Sequence, residues 1–254
     1  RYIIIGNEVN SAKEWGGKVD PAGYANYLKE FSIKLKEYSP NYFILGAGLD
    51  ASAPTDSRHM SEDVFFKKMY EADNQIFDYI DGLNSHSYPN PDFSGNPIEN
   101  GRGTVRTFIW EKEFLKNLGV TKDLPIFITE TGWAHDLNGR LPYLLDTSKV
   151  AEHFKNAYAN AWNDSNVVAV TPFILSHPNP PFDIFSWKDK NGEFYSFYYD
   201  LMTVSKFKGE PKLPEEEKVL GFTDNITETE CRLPETKVQK RQFFGKIWEW
   251  VKTP

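Results

Sequence analysis

The chain opens with residues 1–10, RYIIIGNEVN, in which three consecutive isoleucines lead into Gly6, Asn7 and Glu8. An uninterrupted apolar run of this kind is typical of a strand that is buried on both faces, as in parallel sheets. The carboxylate that follows stands at the carboxyl end of the strand, which is where parallel α/β proteins build their functional sites. This stretch therefore predicts the fold class and supplies the first candidate site residue, Glu8.

Along the rest of the chain, short apolar runs alternate with longer segments in which apolar residues recur every three or four positions. The longer segments predict amphipathic helices, and Asp20 before Pro21 is a typical helix start, with an acceptor at the N-cap and proline in the first turn. Strands that alternate with such helices imply parallel pairing and a sheet covered on both faces, which is the α/β class. The predicted strands are residues 2–5, 42–46, 82–86, 125–129 and 167–175, and the predicted helices are residues 21–38, 61–77, 104–118 and 147–162.

The composition is that of a globular protein and argues against several kinds of partner. The 254 residues are 40% hydrophobic and 15% aromatic, and the net charge is −7. This acidic balance argues against nucleic acid, whose binding depends on Lys and Arg that neutralise phosphates. The single cysteine, Cys231, excludes an intrachain disulfide and a four-cysteine zinc site. The histidines form no His-x-His or His-x-x-x-His pair, so we expect neither a metal nor a cofactor. The many aromatic residues suit either a large core or a surface that stacks on sugar rings.

The alternation of predicted strands and helices ends towards the C-terminus. Asn191-Gly192 between apolar flanks predicts a β-hairpin, and residues 206–218 are charged and carry two prolines, as in a linker or surface loop. Residues 242–251 are a short helix candidate with one apolar face, which suits docking on the main domain or a weak interfacial membrane anchor. We therefore expect a main domain over residues 1–205, and a linker with a C-terminal segment over residues 206–254.

Two carboxylates stand directly after predicted strands, Glu8 after the first and Glu130 after the fourth. Because parallel strands end at the same edge of a sheet, these side chains are expected to face one another. Two facing carboxyl groups can perform glycosidic chemistry, in which one donates a proton to the leaving oxygen and the other attacks the anomeric carbon or activates water. The alternative is that each glutamate caps the following helix or pairs with a lysine.

Further candidates lie near the same strand ends. His86 and Tyr88 are two positions apart after the third strand, so in extended geometry their side chains point the same way. A tyrosine hydroxyl can hold a carboxylate by a hydrogen bond, and a histidine can tune a neighbouring acid; the alternative is a turn with an exposed histidine. Trp133, three residues after Glu130, and Trp187 can stack on a sugar face or pack into the core.

Taken in order, Asn7-Glu8, His86-Ser87-Tyr88 and the stretch ITETGW at residues 128–133 resemble strands four, six and seven of the clan A glycoside hydrolases. Those enzymes are (β/α)8 barrels that cleave β-linked sugars with retention of configuration. The similarity extends over residues 1–190. It implies that the main domain is the C-terminal part of a TIM barrel, with strands four to eight, and that the protein is a hydrolase of β-linked poly- or oligosaccharides.

The resemblance also implies a role for each matching residue. Glu130 would be the nucleophile and Glu8 the general acid/base. Asn7 would bind the sugar 2-hydroxyl, Tyr88 would hold Glu130, and Trp187 would form the floor of the subsite that receives the glycone. A regular strand would point Asn7 and Glu8 to opposite faces, so a bend at the preceding glycine is expected. The expected substrate-binding residues are Asn7, His86, Tyr88, Trp133 and Trp187.

Only five of the eight strands of such a barrel are recognisable in the sequence. Five open strands would leave an unpaired apolar edge at residues 2–5. We therefore expect the first three strands to come from upstream sequence of roughly 100 residues or more, or from another chain. The resemblance further implies a secreted or extracytoplasmic location and a carbohydrate substrate as the partner. The alternative function is a non-catalytic carbohydrate-binding or scaffold protein built on the same barrel.

Overall fold

Five strands and five α-helices alternate in the computed structural model, which describes residues 1–136 and 143–206. The predicted α/β alternation is confirmed. Asp20 caps the first helix as expected, because its Oδ1 accepts a hydrogen bond of 2.9 Å from the Gly23 amide. The strands are β1 (Tyr2–Ile5), β2 (Phe43–Gly46), β3 (Leu83–His86), β4 (Ile126–Glu130) and β5 (Val167–Val170), and the helices are α1 (Pro21–Tyr38), α2 (Glu62–Ala72), α3 (Thr107–Leu118), α4 (Thr147–Asn156) and α5 (Ser196–Met202).

Several predicted bounds differ from those of the structure, and the helix expected over residues 104–118 begins at Thr107. The helix expected over residues 61–77 ends at Ala72 and is followed by a separate 3-10 turn, Ile76–Tyr79. The helix expected over residues 147–162 changes at Asn156 into a π-helical turn. The last strand ends at Val170 because Pro172 has no N–H to continue the ladder, although Thr171 and Phe173 still bond to the neighbouring strand. The predicted hairpin is confirmed by an antiparallel bridge between Lys188 and Phe194.

All strand pairs are parallel and follow the order of the chain. β1 pairs with β2, and β3 pairs with β4, which pairs with β5. Parallel bridges between Leu45 and Gly82 and between Asp50 and His86 connect β2 to β3. The five strands therefore run side by side in one direction, and their carboxyl ends meet at one edge.

Apolar side chains lie on both faces of the strands, but β1, expected to be buried on both faces, is not fully covered, because Tyr2 is 57% and Ile4 45% exposed. The main core lies between strands and helices, and its fully buried members include Ile44, Phe65, Ile126, Ile128 and Phe154. A smaller cluster on the opposite face consists of Phe43, Leu45 and Phe127, with 5.3 Å between the ring centroids of Phe43 and Phe127, and the exposed Tyr2 lies 5.4 Å from Phe43. This cluster explains why the strands read as continuous apolar runs rather than as alternating patterns.

The described residues fall within one unit of the chain, Arg1–Pro214. None of the helices in that described part is long and apolar enough to cross a membrane. The predicted linker and C-terminal segment, residues 206–254, lie outside the described residues apart from Lys206. The docking expected for that segment therefore stays a prediction.

Candidate active site

The backbone turns sharply after β1, and this turn presents Glu8. Gly6 has φ +92°, in the left-handed region that glycine adopts without steric cost. Glu8 itself has φ +41°, a conformation that is uncommon for a residue with a side chain, and its amide donates a 2.9 Å hydrogen bond to the Gly48 carbonyl. The expected bend at Gly6 is thus present. The turn ends the alternation of side-chain directions along β1 and directs the Glu8 side chain towards the end of β3.

Four predicted residues meet at the carboxyl ends of β1, β3 and β4. His86 Nδ1 lies 3.1 Å from Glu8 Oε1 and 3.7 Å from Glu130 Oε2. The Tyr88 hydroxyl donates to Glu130 Oε2 at 3.1 Å. One oxygen of each carboxylate and a ring nitrogen of His86 all lie within 4.8 Å of one another. A register shift between Ser85 and His86 contributes to this geometry, because it sets His86 opposite Glu130 in the ladder.

The His86 ring is fixed by close packing. It is 3% exposed, and Gly48 lies directly against it. A Cβ at Gly48 would stand 2.2 Å from His86 Cδ2 and 2.4 Å from Nε2, so a side chain at this position would displace the ring. The sequence did not reveal the role of Gly48, because nothing local distinguishes it from the neighbouring Gly46.

Asn10 ties together the loops that carry the site, a role that no sequence pattern indicated. It is fully buried, and its amide nitrogen donates to the carbonyls of Asp50 at 2.9 Å and Met60 at 3.0 Å. Its side-chain oxygen accepts from the Asp50 amide at 3.0 Å. These bonds hold the loop after β2 against the Glu8 turn. Their partners are 40 to 50 residues away in sequence, so no local pattern could indicate them.

Tyr88 belongs to a group of aromatic side chains that sequence analysis also missed. Its ring meets Phe93 at 5.2 Å and Phe185 at 6.1 Å, and Phe173 joins Phe185 at 5.6 Å. Phe182 extends the group outwards, 5.5 Å from Phe173 and 43% exposed. The edge-to-face contacts hold the Tyr88 ring in place.

The two predicted tryptophans lie in different surroundings from those expected. Trp133 is 2% exposed, packs against Phe154 at 5.0 Å and donates from its indole nitrogen to the Gly95 carbonyl at 2.8 Å. The sugar-stacking role predicted for Trp133 is therefore wrong, because neither ring face is open. Trp187 is partly buried and contacts Phe154 and Phe197 at 5.4 and 5.1 Å; its role in a subsite stays a prediction.

Asn7 is exposed and lies next to Glu8 at the turn. The structure thus places it at the surface next to Glu8. Its expected contact with a sugar hydroxyl stays a prediction.

Burial and neighbouring charges set the protonation of the cluster. Burial raises the pKa of Glu130, and the negative charge of Glu8 raises it further, whereas His86 and the hydrogen bond from Tyr88 lower it. Burial and the charge of Glu130 also raise the pKa of Tyr88. Tyr88 therefore keeps its proton and acts as a donor. His86 and Tyr88 oppose the effect of burial on the pKa of Glu130 and favour its ionised form.

The cluster contains residue types that also bind metals. One imidazole nitrogen and two carboxylate oxygens at this spacing form a small donor set. The hydrogen bonds from His86 to Glu8 and from Tyr88 to Glu130 account for the observed positions without an ion. The sequence-based expectation that no metal is required stays a prediction.

Comparison with known proteins shows the fold. No family model and no curated protein matches the sequence. A GH128 (subgroup II) endo-β-1,3-glucanase from Sorangium cellulosum matches with a TM-score of 0.54 at 12% identity, over 81% of this chain and 70% of that one. The described strands and helices have the fold of the TIM-barrel glycoside hydrolases.

Two further structures show the same likeness. A GH128 (subgroup II) endo-β-1,3-glucanase from Pseudomonas viridiflava matches with a TM-score of 0.54 at 15% identity, over 81% of this chain and 70% of that one. A family 51 α-L-arabinofuranosidase from Bifidobacterium longum matches with a TM-score of 0.53 at 13% identity, over 79% of this chain and 43% of that one. The fold expected from the ordered strand-end motifs is therefore confirmed.

Proposed function

We propose that the protein is a retaining glycoside hydrolase that acts on a β-linked poly- or oligosaccharide. One observation carries this proposal: carboxylate oxygens of Glu8 and Glu130 lie within 4.8 Å of each other at the strand ends. Retaining enzymes place their two carboxyl groups about 5–5.5 Å apart, whereas inverting enzymes need about 6.5–9.5 Å to admit a water molecule. The short separation favours double displacement.

In the first step, Glu130 attacks the anomeric carbon while Glu8 donates its proton to the oxygen of the leaving group. The bond from the anomeric carbon to that oxygen breaks, and a glycosyl ester forms on Glu130. In the second step, Glu8 takes a proton from water, whose oxygen attacks the anomeric carbon and releases Glu130. Glu8 thus ends the cycle protonated, ready for the next substrate.

The contacts around the pair support this division of roles. Tyr88 donates to Oε2 of Glu130 and stabilises the ionised form that a nucleophile needs. His86 lies at hydrogen-bond distance from Glu8, and so holds the acid/base in place. The exposure of Asn7 beside Glu8 supports its expected contact with the sugar 2-hydroxyl.

The similar structures suggest where to begin the search for a substrate. The Sorangium and Pseudomonas proteins are endo-β-1,3-glucanases. A β-1,3-glucanosyltransferase from Rhizomucor miehei, crystallised with laminaritriose, also matches, with a TM-score of 0.50 at 12% identity over 76% of this chain and 61% of that one. We therefore propose β-1,3-glucan as the first polysaccharide to test. The secreted location and the source of strands one to three remain predictions.

Azide rescue tests the two roles separately. In Glu130→Ala, hydrolysis should be abolished, and azide should yield a glycosyl azide of inverted configuration because it occupies the place of the nucleophile. In Glu8→Ala, substrates with good leaving groups should still form the glycosyl-enzyme, and azide should yield the retained product. A matched control is Glu113→Ala, which removes an exposed carboxylate on α3.

Two outcomes would overturn the proposal. Full hydrolysis by Glu130→Ala would exclude Glu130 as the nucleophile. Binding of an oligosaccharide by the intact full-length protein, with no hydrolysis of any β-glycoside, would instead support a non-catalytic carbohydrate-binding protein.

A further inference from the structure

Tyr24 of α1 carries a hydroxyl group that core packing does not require. Its side chain is 1% exposed, and its ring meets Trp15 at 5.4 Å and Phe65 at 6.0 Å. A phenylalanine would keep the same ring contacts, whereas a buried hydroxyl loses its hydration and needs a hydrogen-bond partner. The position of that hydroxyl therefore indicates what a tyrosine contributes here.

The hydroxyl forms a bridge between the carboxyl ends of β1 and β2. Ile5 and Gly46 are the last paired residues of these strands. At this point the Tyr24 hydroxyl donates to the Ile5 carbonyl at 2.8 Å and accepts from the Ala47 amide at 2.6 Å. In a regular parallel ladder, a backbone amide bonds directly to a carbonyl of the neighbouring strand. Here the hydroxyl oxygen stands between the two backbone groups, and so it sets the separation of the strand ends.

The bridge has a fixed direction. The Ala47 amide can only donate and the Ile5 carbonyl can only accept, so the hydroxyl proton must point to Ile5. Burial raises the pKa of Tyr24, although the bond from the Ala47 amide opposes that effect. The hydroxyl therefore keeps its proton at neutral pH and remains the donor.

Both ends of the bridge stand immediately before the backbone that places Glu8. The residue after Ile5 is Gly6, which begins the left-handed turn, and the Tyr24 ring packs against it: a Cβ at Gly6 would lie 3.3 Å from Tyr24 Cε2. One residue beyond the other end of the bridge, the carbonyl of Gly48 accepts the Glu8 amide at 2.9 Å. Tyr24 thus fixes both sides of the contact that holds the Glu8 turn.

We propose that Tyr24 is a positioning residue for the acid/base, because its hydroxyl bridge sets the separation of β1 and β2 where the Glu8 turn begins. Glu130 stands on β4 and is held by Tyr88. The bridge therefore acts on one of the two carboxylates and not on the other. The consequence for catalysis rests on the proposed hydrolase function, whereas the bridge itself does not.

Tyr24→Phe removes the hydroxyl and keeps the ring. The Ile5 carbonyl and the Ala47 amide lose their common partner, so the Glu8 turn should shift. A sugar leaving group needs the proton of Glu8, whereas the weakly basic dinitrophenolate does not. For a β-1,3-glucan oligosaccharide, kcat/KM should fall by about a hundredfold, the effect of a displacement of ~1 Å. For the dinitrophenyl β-glycoside of the same sugar, kcat/KM should change little.

Tyr27→Phe is the matched control. Tyr27 lies on the same helix with its side chain 39% exposed, so both kcat/KM values should stay at the wild-type level. In Tyr24→Phe, an equal fall for the two substrates would indicate a general loss of structure and would overturn the inference. Unchanged kinetics with both substrates would overturn it as well.

Proton NMR of the full-length wild-type protein tests the bridge without any variant. A buried hydroxyl held between two backbone groups should give a slowly exchanging hydroxyl proton close to the Ala47 amide, and absence of this signal would overturn the bridge. If the wild type cleaves neither substrate, the proposed function alone fails. The Glu8 amide shift should then still change in Tyr24→Phe and not in Tyr27→Phe, and an unchanged shift would overturn the positioning role.

Discussion

The Tyr88 hydroxyl controls how easily Glu130 loses its proton. Burial raises the pKa of Glu130 and the hydrogen bond from Tyr88 lowers it. A nucleophilic carboxylate works only when ionised, so activity should be lost as the pH falls through that pKa. Tyr88→Phe keeps the ring that packs against Phe93 and Phe185 and removes only the donor.

In Tyr88→Phe, the acidic limb of the kcat/KM profile should therefore move to higher pH. A hydrogen bond to a charged group contributes about 1.5–3 kcal/mol, so kcat/KM at neutral pH should fall by roughly ten- to a hundredfold. The pH dependence of kcat/KM for wild type and variant measures both effects. An acidic limb that stays in place or moves to lower pH would contradict the role of Tyr88.

Gly48 sets the position of His86 by having no side chain. A Cβ there would overlap the ring at 2.2 Å, so Gly48→Ala should displace His86 and break its contact with Glu8. Displacement of a catalytic group by about 1 Å can cost roughly a hundredfold in rate, and a similar loss in kcat/KM is expected. Gly46→Ala is the matched control, because its Cβ would meet its nearest neighbours at 3.5 Å or more. Equal kinetics in both variants would refute the steric role.

Site residues at strand ends could be predicted from the sequence, whereas residues whose role depends on contacts distant in sequence could not. Strand-end position and period-two spacing predicted that Glu8, His86, Tyr88 and Glu130 lie at one edge, and the structure brings them together. Trp133 was misassigned because an aromatic residue after a strand has the same local pattern whether it faces a cleft or the core. Asn10 and Gly48 contact partners that are remote in sequence, and no local sequence pattern indicates such contacts.

At the level of elements, the buried Glu62 between α2 and α3 makes the free energy of unfolding depend on pH. The pKa of Glu62 is raised in the folded state, and in the unfolded state it returns to about 4.3. Above that pH the folded state binds more protons than the unfolded state, so the contribution of Glu62 to stability falls as the pH rises.

Glu62→Gln should remove this dependence. Its free energy of unfolding, relative to wild type, should increase from acidic to neutral pH by up to about 1.4 kcal/mol per pH unit. Urea denaturation of both proteins over a pH series measures the difference, and Glu113→Gln serves as the exposed control. A difference that does not vary with pH would show that Glu62 is not protonated in the folded protein.

The order of the elements from β1 to β5 was predictable from the sequence, whereas α5 was not predicted and several element ends were misplaced. Apolar runs and caps such as Asp20 located every strand and the start of α1. The end of β5 was misplaced because β-branched residues continue past Val170 in the pattern, whereas Pro172 interrupts the ladder. The π-helical turn after α4 had no sequence signal, since its composition is that of an ordinary helix.

At the scale of the whole molecule, the site depends on strand order. Glu8, His86 and Glu130 are far apart in sequence, and the parallel order from β1 to β5 brings the ends of their strands to one edge. That convergence follows from the α/β pattern, and so the sequence could predict it. The close approach of the carboxylates could not be predicted, because it also needs the left-handed turn at Gly6 and Glu8 and the register shift at His86.

The configuration of the first sugar released tests the central claim most directly. The full-length protein is mixed with a β-1,3-glucan or an aryl β-glycoside, and the anomeric protons are followed by NMR before mutarotation equilibrates them. With Glu8 and Glu130 oxygens within 4.8 Å, double displacement predicts that the β-anomer appears first and the α-anomer only later. Initial release of the α-anomer would contradict the proposed mechanism.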